Sequence, residues 1–192
     1  MGMADNRGFG DRLRAHRSRK GLTLRDLAKL TKRSISLLSQ IETGKVTPSF
    51  ATMRIVADAL SVPLSQMITD GGADEPKESA LMEARQRKIL TTQGGVQHQL
   101  LSRNLALPFE FISVEIPAGS STGEKPYSHD GVECGLLVEG ELEIHLGGRI
   151  HRMKPGDTIT LNSSIPHNLV NRGKRKAKAV WVNSVPMIFS TR

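Results

Sequence analysis

The sequence predicts a two-domain α+β chain, an all-α helical bundle followed by an all-β jelly-roll barrel. Three observations predict it. Residues 22–60, LTLRDLAKLTKRSISLLSQIETGKVTPSFATMRIVADAL, repeat apolar side chains at helical spacing and are broken twice by short turns. From Leu100 onward come short alternating segments, FEFISVEI, CGLLVEG, ELEIHLGG, RIHRM, DTITL, HNLVN and AVWVNSV, parted by Gly, Pro and Asn. That texture is antiparallel β structure, and so many short strands in about 90 residues suit a double-sheet jelly roll, which hides its edges by wrapping. Between the two, residues 70–92 contain Gly71, Gly72 and Pro76 and then a charged run, a hinge followed by a short helix or extended arm. The expected boundaries are therefore 9–69 for the helical domain, 70–92 for the linker and 93–192 for the barrel.

Within the bundle, Phe9 and Leu13 start a first helix over 9–20, closed by Gly21, which can adopt the left-handed conformation. Thr23 with Asp26 three residues later forms a capping box for the second helix, where Ala28 is small enough for a close crossing. After a turn at 31–33, Ser34 caps a third helix running to Glu42. Its apolar stripe is expected to be Ile35, Leu38 and Ile41, and its opposite face Ser36, Leu37 and Gln40. Gly44 stops it, Ser49 opens a fourth helix through Leu60, and Pro63 takes the first position of a short fifth.

Charge is laid down unevenly. Of a net charge of +8, residues up to Asp70 hold twelve Lys and Arg against six Asp and Glu. A basic helical bundle of this spacing is the pattern of a DNA reader. Between 110 and 143 the sign reverses, with Glu110, Glu115, Glu124, Asp130, Glu133, Glu139, Glu141 and Glu143 against Lys125 alone, a stretch that would welcome a cation. Glu139, Glu141 and Glu143 read as an outward strand face, and the basic run at 172–178, RGKRKAK, as a solvated turn. No apolar run approaches the roughly 20 residues of a membrane span, and MGMADNRG has neither a signal core nor transit character. The chain is accordingly expected in the cytoplasm. A single cysteine, Cys134, excludes an internal disulfide; it should point away from Glu133 and pack as a small residue, as Trp181 should pack within its strand.

LTLRDLAKLTKRSISLLSQIETGKVTPS resembles the helix-turn-helix domain of the phage-repressor-like regulators called the xenobiotic response element family. The resemblance covers residues 9–68 and implies that the helix after Ser34 enters the major groove of a double-stranded operator. Ser36 and Gln40 would then bond base edges and Leu37 would meet a thymine methyl. Arg33, Lys45 and Thr47 would hold phosphates, with Arg25 replacing an anchor lost at Leu24; Thr23 and Ser34 complete the expected DNA-contacting set. Two departures stand in the turn: Lys32 replaces the customary glycine, and Arg33 a buried valine.

TGEKPYSHDGVECGLLVEG and KPGDTITLNSSIPHNLVN resemble the two motifs of the cupin barrel, through Gly123, His129, Glu133 and Gly140 and through Pro155, Gly156, His167 and Asn171. Metal-binding cupins carry a second histidine where this chain has Gly131. The resemblance therefore implies no obligatory cofactor, although His129, Glu133 and His167 are the donor types of a divalent transition-metal site. The pairing of the two domains is similar to bacterial regulators related to the repressor of putrescine utilisation. It implies a homodimeric repressor whose barrel senses a small molecule, a polyamine or an amino acid, through Glu124, Tyr127, His129, Glu133 and His167. The alternative is a metal-dependent cupin dioxygenase or isomerase with an accessory helical domain.

Overall fold

The computed structural model describes residues 7–68, 81–102 and 107–189. Five helices come first: α1 (Arg7–Arg19), α2 (Leu24–Thr31), α3 (Ile35–Glu42), α4 (Phe50–Ala59) and α5 (Leu64–Ile68). Their start signals are the ones the sequence carries. Thr23 accepts a hydrogen bond from the Asp26 N–H while the Asp26 carboxylate accepts from the Thr23 N–H; Ser34 accepts from Leu37 N–H and Ser49 from Thr52 N–H. Gly21 and Gly44 end their helices at φ of 66° and 68°. Lys32, despite its Cβ, takes the left-handed turn at φ 53°, so the helix-turn-helix bend keeps its geometry without glycine. Pro63 lies one residue outside α5 rather than at its first position.

The bundle core is Phe9, Leu13, Leu27, Leu38, Ile41, Met53, Val56, Leu60, Leu64 and Met67. Two corrections fall on α3. Ile35 is 45% exposed, and Leu37, expected on the outer face, is half-buried against the core. Leu38 and Ile41 set the buried line of α3, and Leu37, one turn before Ile41, lies on the same face. Arg17 ties α1 to α3 through a two-pronged bond to Glu42 at 2.6 and 2.8 Å and donates a third bond to the Leu22 carbonyl at 2.7 Å. That pair is nearly buried, so it fixes the angle at which α3 is presented.

Among the described residues nine antiparallel strands follow: β1 (Ile89–Thr91), β2 (Gln97–Leu100), β3 (Glu110–Ile116), β4 (Val132–Glu139), β5 (Leu142–Leu146), β6 (Arg149–Met153), β7 (Thr158–Asn162), β8 (His167–Val170) and β9 (Ala177–Asn183). They form a six-stranded sheet, β1-β2-β3-β9-β4-β7, against a three-stranded one, β6-β5-β8. Strand β1 falls inside the stretch expected as linker; residues 70–80 of that stretch lie outside the described residues. Alternation along β4 sends Glu133, Gly135 and Leu137 inward and Val132, Cys134, Leu136 and Val138 outward. Cys134 therefore does point away from Glu133, but it is exposed rather than packed, its Sγ 3.4 Å from Thr160 Oγ1.

The two domains touch. Phe50, the first residue of α4, is 1% exposed because its ring enters the mouth of the barrel, 5.3 Å from His98 and 5.6 Å edge-on to Tyr127 between ring centres. The Gln93 N–H donates to the Pro48 carbonyl across the same seam, at 3.0 Å. No described helix is long and apolar enough to cross a membrane.

Candidate nucleic-acid interface and barrel site

The residues expected to contact DNA lie on α3 and in the turns and helix starts around it. Ser36 and Gln40 are exposed, as are Arg25 and Lys45, and Arg33 and Thr47 are partly so. Thr23 and Ser34 spend their hydroxyls on helix capping, which positions the backbone N–H groups at the starts of α2 and α3. Half-buried Leu37 leaves Ile35 as the more accessible apolar side chain on this surface.

The barrel site is assembled from three places in the chain. His129 sits in the loop before β4, its N–H donating to the Ser163 carbonyl at 2.9 Å. Glu133 is the second residue of β4, facing inward. His167 opens β8 and is fixed by paired backbone bonds with Tyr127, 2.9 and 3.0 Å. All three side chains are buried, and one donor atom from each lies within 4.8 Å of the other two. His129 Nε2 is 2.5 Å and His167 Nε2 3.4 Å from Glu133 Oε1. Nδ1 of His129 lies 2.9 Å from the Asp130 carbonyl and Nδ1 of His167 lies 2.8 Å from the Ile165 carbonyl. A carbonyl oxygen only accepts, so each Nδ1 holds a proton and each Nε2 is turned to the common point, as in metal-binding histidines.

Electrostatics make the same demand. Burial works to raise the Glu133 carboxyl, but the two imidazoles outweigh it and hold it down, to about 2. Burial likewise works to lower His167, and Glu133 outweighs that and raises it. A buried carboxylate here requires a positive partner, and either a proton shared with an imidazole or a cation meets the need.

Trp181, expected only to pack, completes the site: its Nε1–H donates to Glu133 Oε2 at 2.5 Å. The indole can lie there because β4 has no side chain opposite it. A Cβ on Gly135 would come within 2.0 Å of the Trp181 ring. Gly131 holds φ +104°, and a Cβ there would meet Ser184 and Val185 within 3 Å. The missing second histidine is thus excluded by the backbone itself. Of the residues expected to bind a ligand, Tyr127 and Glu133 line the cavity described below, His129 and His167 do not, and Glu124 is exposed outside it. Three other carboxylates of the acidic stretch already have partners. Glu115 is held by Lys176 and Lys178, Glu143 by Arg152, Arg172 and His145, and Glu110 accepts from the Ile188 and Phe189 N–H groups and from Asn183. The cavity beside Glu133, lined by Phe50, His98, Tyr127 and Trp181 among others, is only about 20 Å³, room for one ion or water.

Fold and site together define a DNA-binding helix-turn-helix regulator with a C-terminal cupin domain. Residues 9–67 match the helix-turn-helix domain family and residues 112–183 the cupin domain family. The chain is homologous to the HTH-type transcriptional regulators PuuR and SutR of Escherichia coli. PuuR is 29% identical over 167 residues, 84% of this chain and 86% of PuuR. SutR is 24% identical over 163 residues, 85% of this chain and 86% of SutR. Among solved structures, an HTH_3 family transcriptional regulator from Vibrio cholerae shares the fold, with a TM-score of 0.66 at 20% identity over 95% of this chain and 97% of that one.

Proposed function

We propose that the protein is a cytoplasmic, homodimeric repressor whose affinity for its operator is set by what occupies the barrel, and that it is not an enzyme. The carrying observation is the physical joint between reader and barrel: Phe50 belongs to the DNA-binding domain and closes the barrel mouth. His129, Glu133 and His167 would hold a divalent transition metal, with Trp181 fixing the free carboxylate oxygen. In a regulator such an ion supplies a fixed positive charge that replaces the imidazole proton. An extended polyamine does not fit the closed cavity, so an amine or amino-acid effector requires the mouth to open.

The dimer is proposed to form through the outer face of β4 and β9. Val132, Leu136, Val138 and Val182 are exposed there and uncharged, so two copies of this +8 chain can meet on it without repelling each other. Two reading helices related by a two-fold axis would then face half-sites about 34 Å apart on a near-palindromic operator.

Footprinting at several salt concentrations tests the regulator. A protected palindrome with steeply salt-dependent affinity supports it; no protected site, or an affinity flat in salt, overturns it. Elemental analysis of wild type and His129→Ala tests the metal. Stoichiometric metal in the first and none in the second is expected.

A further inference from the structure

Phe50 is an odd occupant for the place it fills. An apolar ring from the DNA-binding domain is pressed against His98, which is 3% exposed and has no partner for either ring nitrogen. His98 lies on β2 opposite Val114 of β3, facing into the barrel, and burial pushes its proton affinity down to about 4, so the imidazole is neutral. A neutral imidazole offers one donor and one acceptor. Burying both unmet is costly, and a phenyl ring satisfies neither. Around these two rings the walls are Ile112, Val114, Leu169 and Ile188, and the wall of the same cavity continues to Tyr127, whose ring centre is 5.0 Å from that of His167.

We propose that the seat of Phe50 is a ligand pocket shut by the DNA-binding domain, and that it takes a small, largely apolar molecule about as large as a phenyl ring and carrying one hydroxyl or carboxamide for His98. The molecule and Phe50 compete for the same space. Its arrival expels the side chain that holds α4 to the barrel, and the Gln93–Pro48 bond at the seam opens with it. This rests on the sensor reading above and names the effector's chemical class and its route of action.

Phenol and toluene probe the pocket in the full-length chain, because they match in size and differ by the hydroxyl. Trp181 is the sole tryptophan and lines the same cavity, so its fluorescence reports occupancy. Phe50→Ala is expected to bind phenol about tenfold tighter than toluene, the worth of one hydrogen bond to His98. Wild type should bind both more weakly, since Phe50 competes, and Phe50→Ala/His98→Leu should lose the preference for phenol. In Phe50→Ala the Gln93 amide should exchange faster than in wild type. Should that variant fail to fold, Phe50→Leu is expected to give the same order with smaller amplitude. Equal or absent binding of the two probes, or an unchanged Gln93 amide in a folded variant, overturns the pocket. Affinity for an operator selected with the wild-type protein tests the sensor reading separately, with a change of roughly 5- to 150-fold expected in Phe50→Ala. If the pocket fills and Gln93 opens while that affinity stays put, sensing fails and the pocket stands.

Discussion

The exposed face of α3 and the mouth of the barrel are built on opposite principles. On α3 the functional groups are exposed, and their positions follow from local rules: a cap at Ser34, a stop at Gly44, a period of 3.6. In the barrel they are buried, and they converge only because β4, β8 and the loop before β4 are closed onto one another by the sheets. The difference is that an exposed site can be read off its own segment, whereas a buried one depends on everything around it. It also means the two regions should fail under different challenges.

Acid is the largest of these. His98 is buried and unpartnered, and its proton affinity is lowered to about 4 by burial. Below about pH 6.5 the unfolded chain takes up a proton at this residue while the folded chain does not, so stability falls as pH drops from 6.5 toward 4. The two and a half pH units of displacement amount to about 3 kcal/mol. Denaturant midpoints for wild type and His98→Leu, measured between pH 7 and 4, should diverge in favour of the variant as pH falls. Ser36 and Gln40 have no group that titrates in this window. Parallel curves for the two proteins would break the contrast.

Gly135→Ala comes next. The added Cβ collides with the Trp181 ring, which cannot retreat without giving up its bond to Glu133. Overpacking of this kind costs about 1 to 3 kcal/mol. The substitution should lower the denaturant midpoint and shift the tryptophan emission. Unaltered emission would mean that the indole is not held where the structure has it.

The fold was legible from the chain to nearly every element, because each strand and helix announces itself by period and punctuation. Two strands were hidden: β1, in a charged run whose ILT is too short to show alternation, and β2, whose QHQL carries a single apolar residue. His129, Glu133 and His167 were legible as donors at motif spacing, and Tyr127 only as their neighbour in sequence. Trp181, Gly135, His98 and Phe50 were not, since no local pattern says that residues 50 and 98 will meet, or that a glycine on one strand makes room for an indole on another. Glu124 shows the complementary limit: clustering of like charge along the chain says nothing of which carboxylates face the interior, and this one is exposed.

A smaller effect separates reading from holding within the exposed site. On the proposed reading Gln40 bonds a base edge, so Gln40→Ala should weaken the selected operator by about 1 to 2 kcal/mol while the salt dependence stays the same. Lys45→Ala should weaken all duplexes alike and reduce the salt slope by about one. Titrations against operator and scrambled duplex at four salt concentrations distinguish them. Equal losses on both duplexes for Gln40→Ala would move base reading elsewhere on α3, with Ile35 the first place to look.

The smallest effect concerns Lys32, where sequence and geometry disagree most plainly. Its φ of 53° and ψ of 37° are the left-handed conformation, which costs an L-residue roughly 1 to 2 kcal/mol and glycine nothing. Glycine gives back about 0.5 to 1 kcal/mol through the greater freedom of its unfolded chain. Lys32→Gly should therefore stabilise by about 0.5 kcal/mol, a rise of one or two degrees in the melting temperature. The lysine remains explicable if its exposed charge serves the site. The same variant should then bind duplex more weakly, most of all at low salt, where screening is least. A gain in stability with no loss in DNA affinity would leave the turn strained for no purpose on the reading face. A gain in stability with a salt-dependent loss in affinity would show that this surface accepts backbone strain in exchange for a phosphate contact, as the barrel accepts an unpaired imidazole behind Phe50.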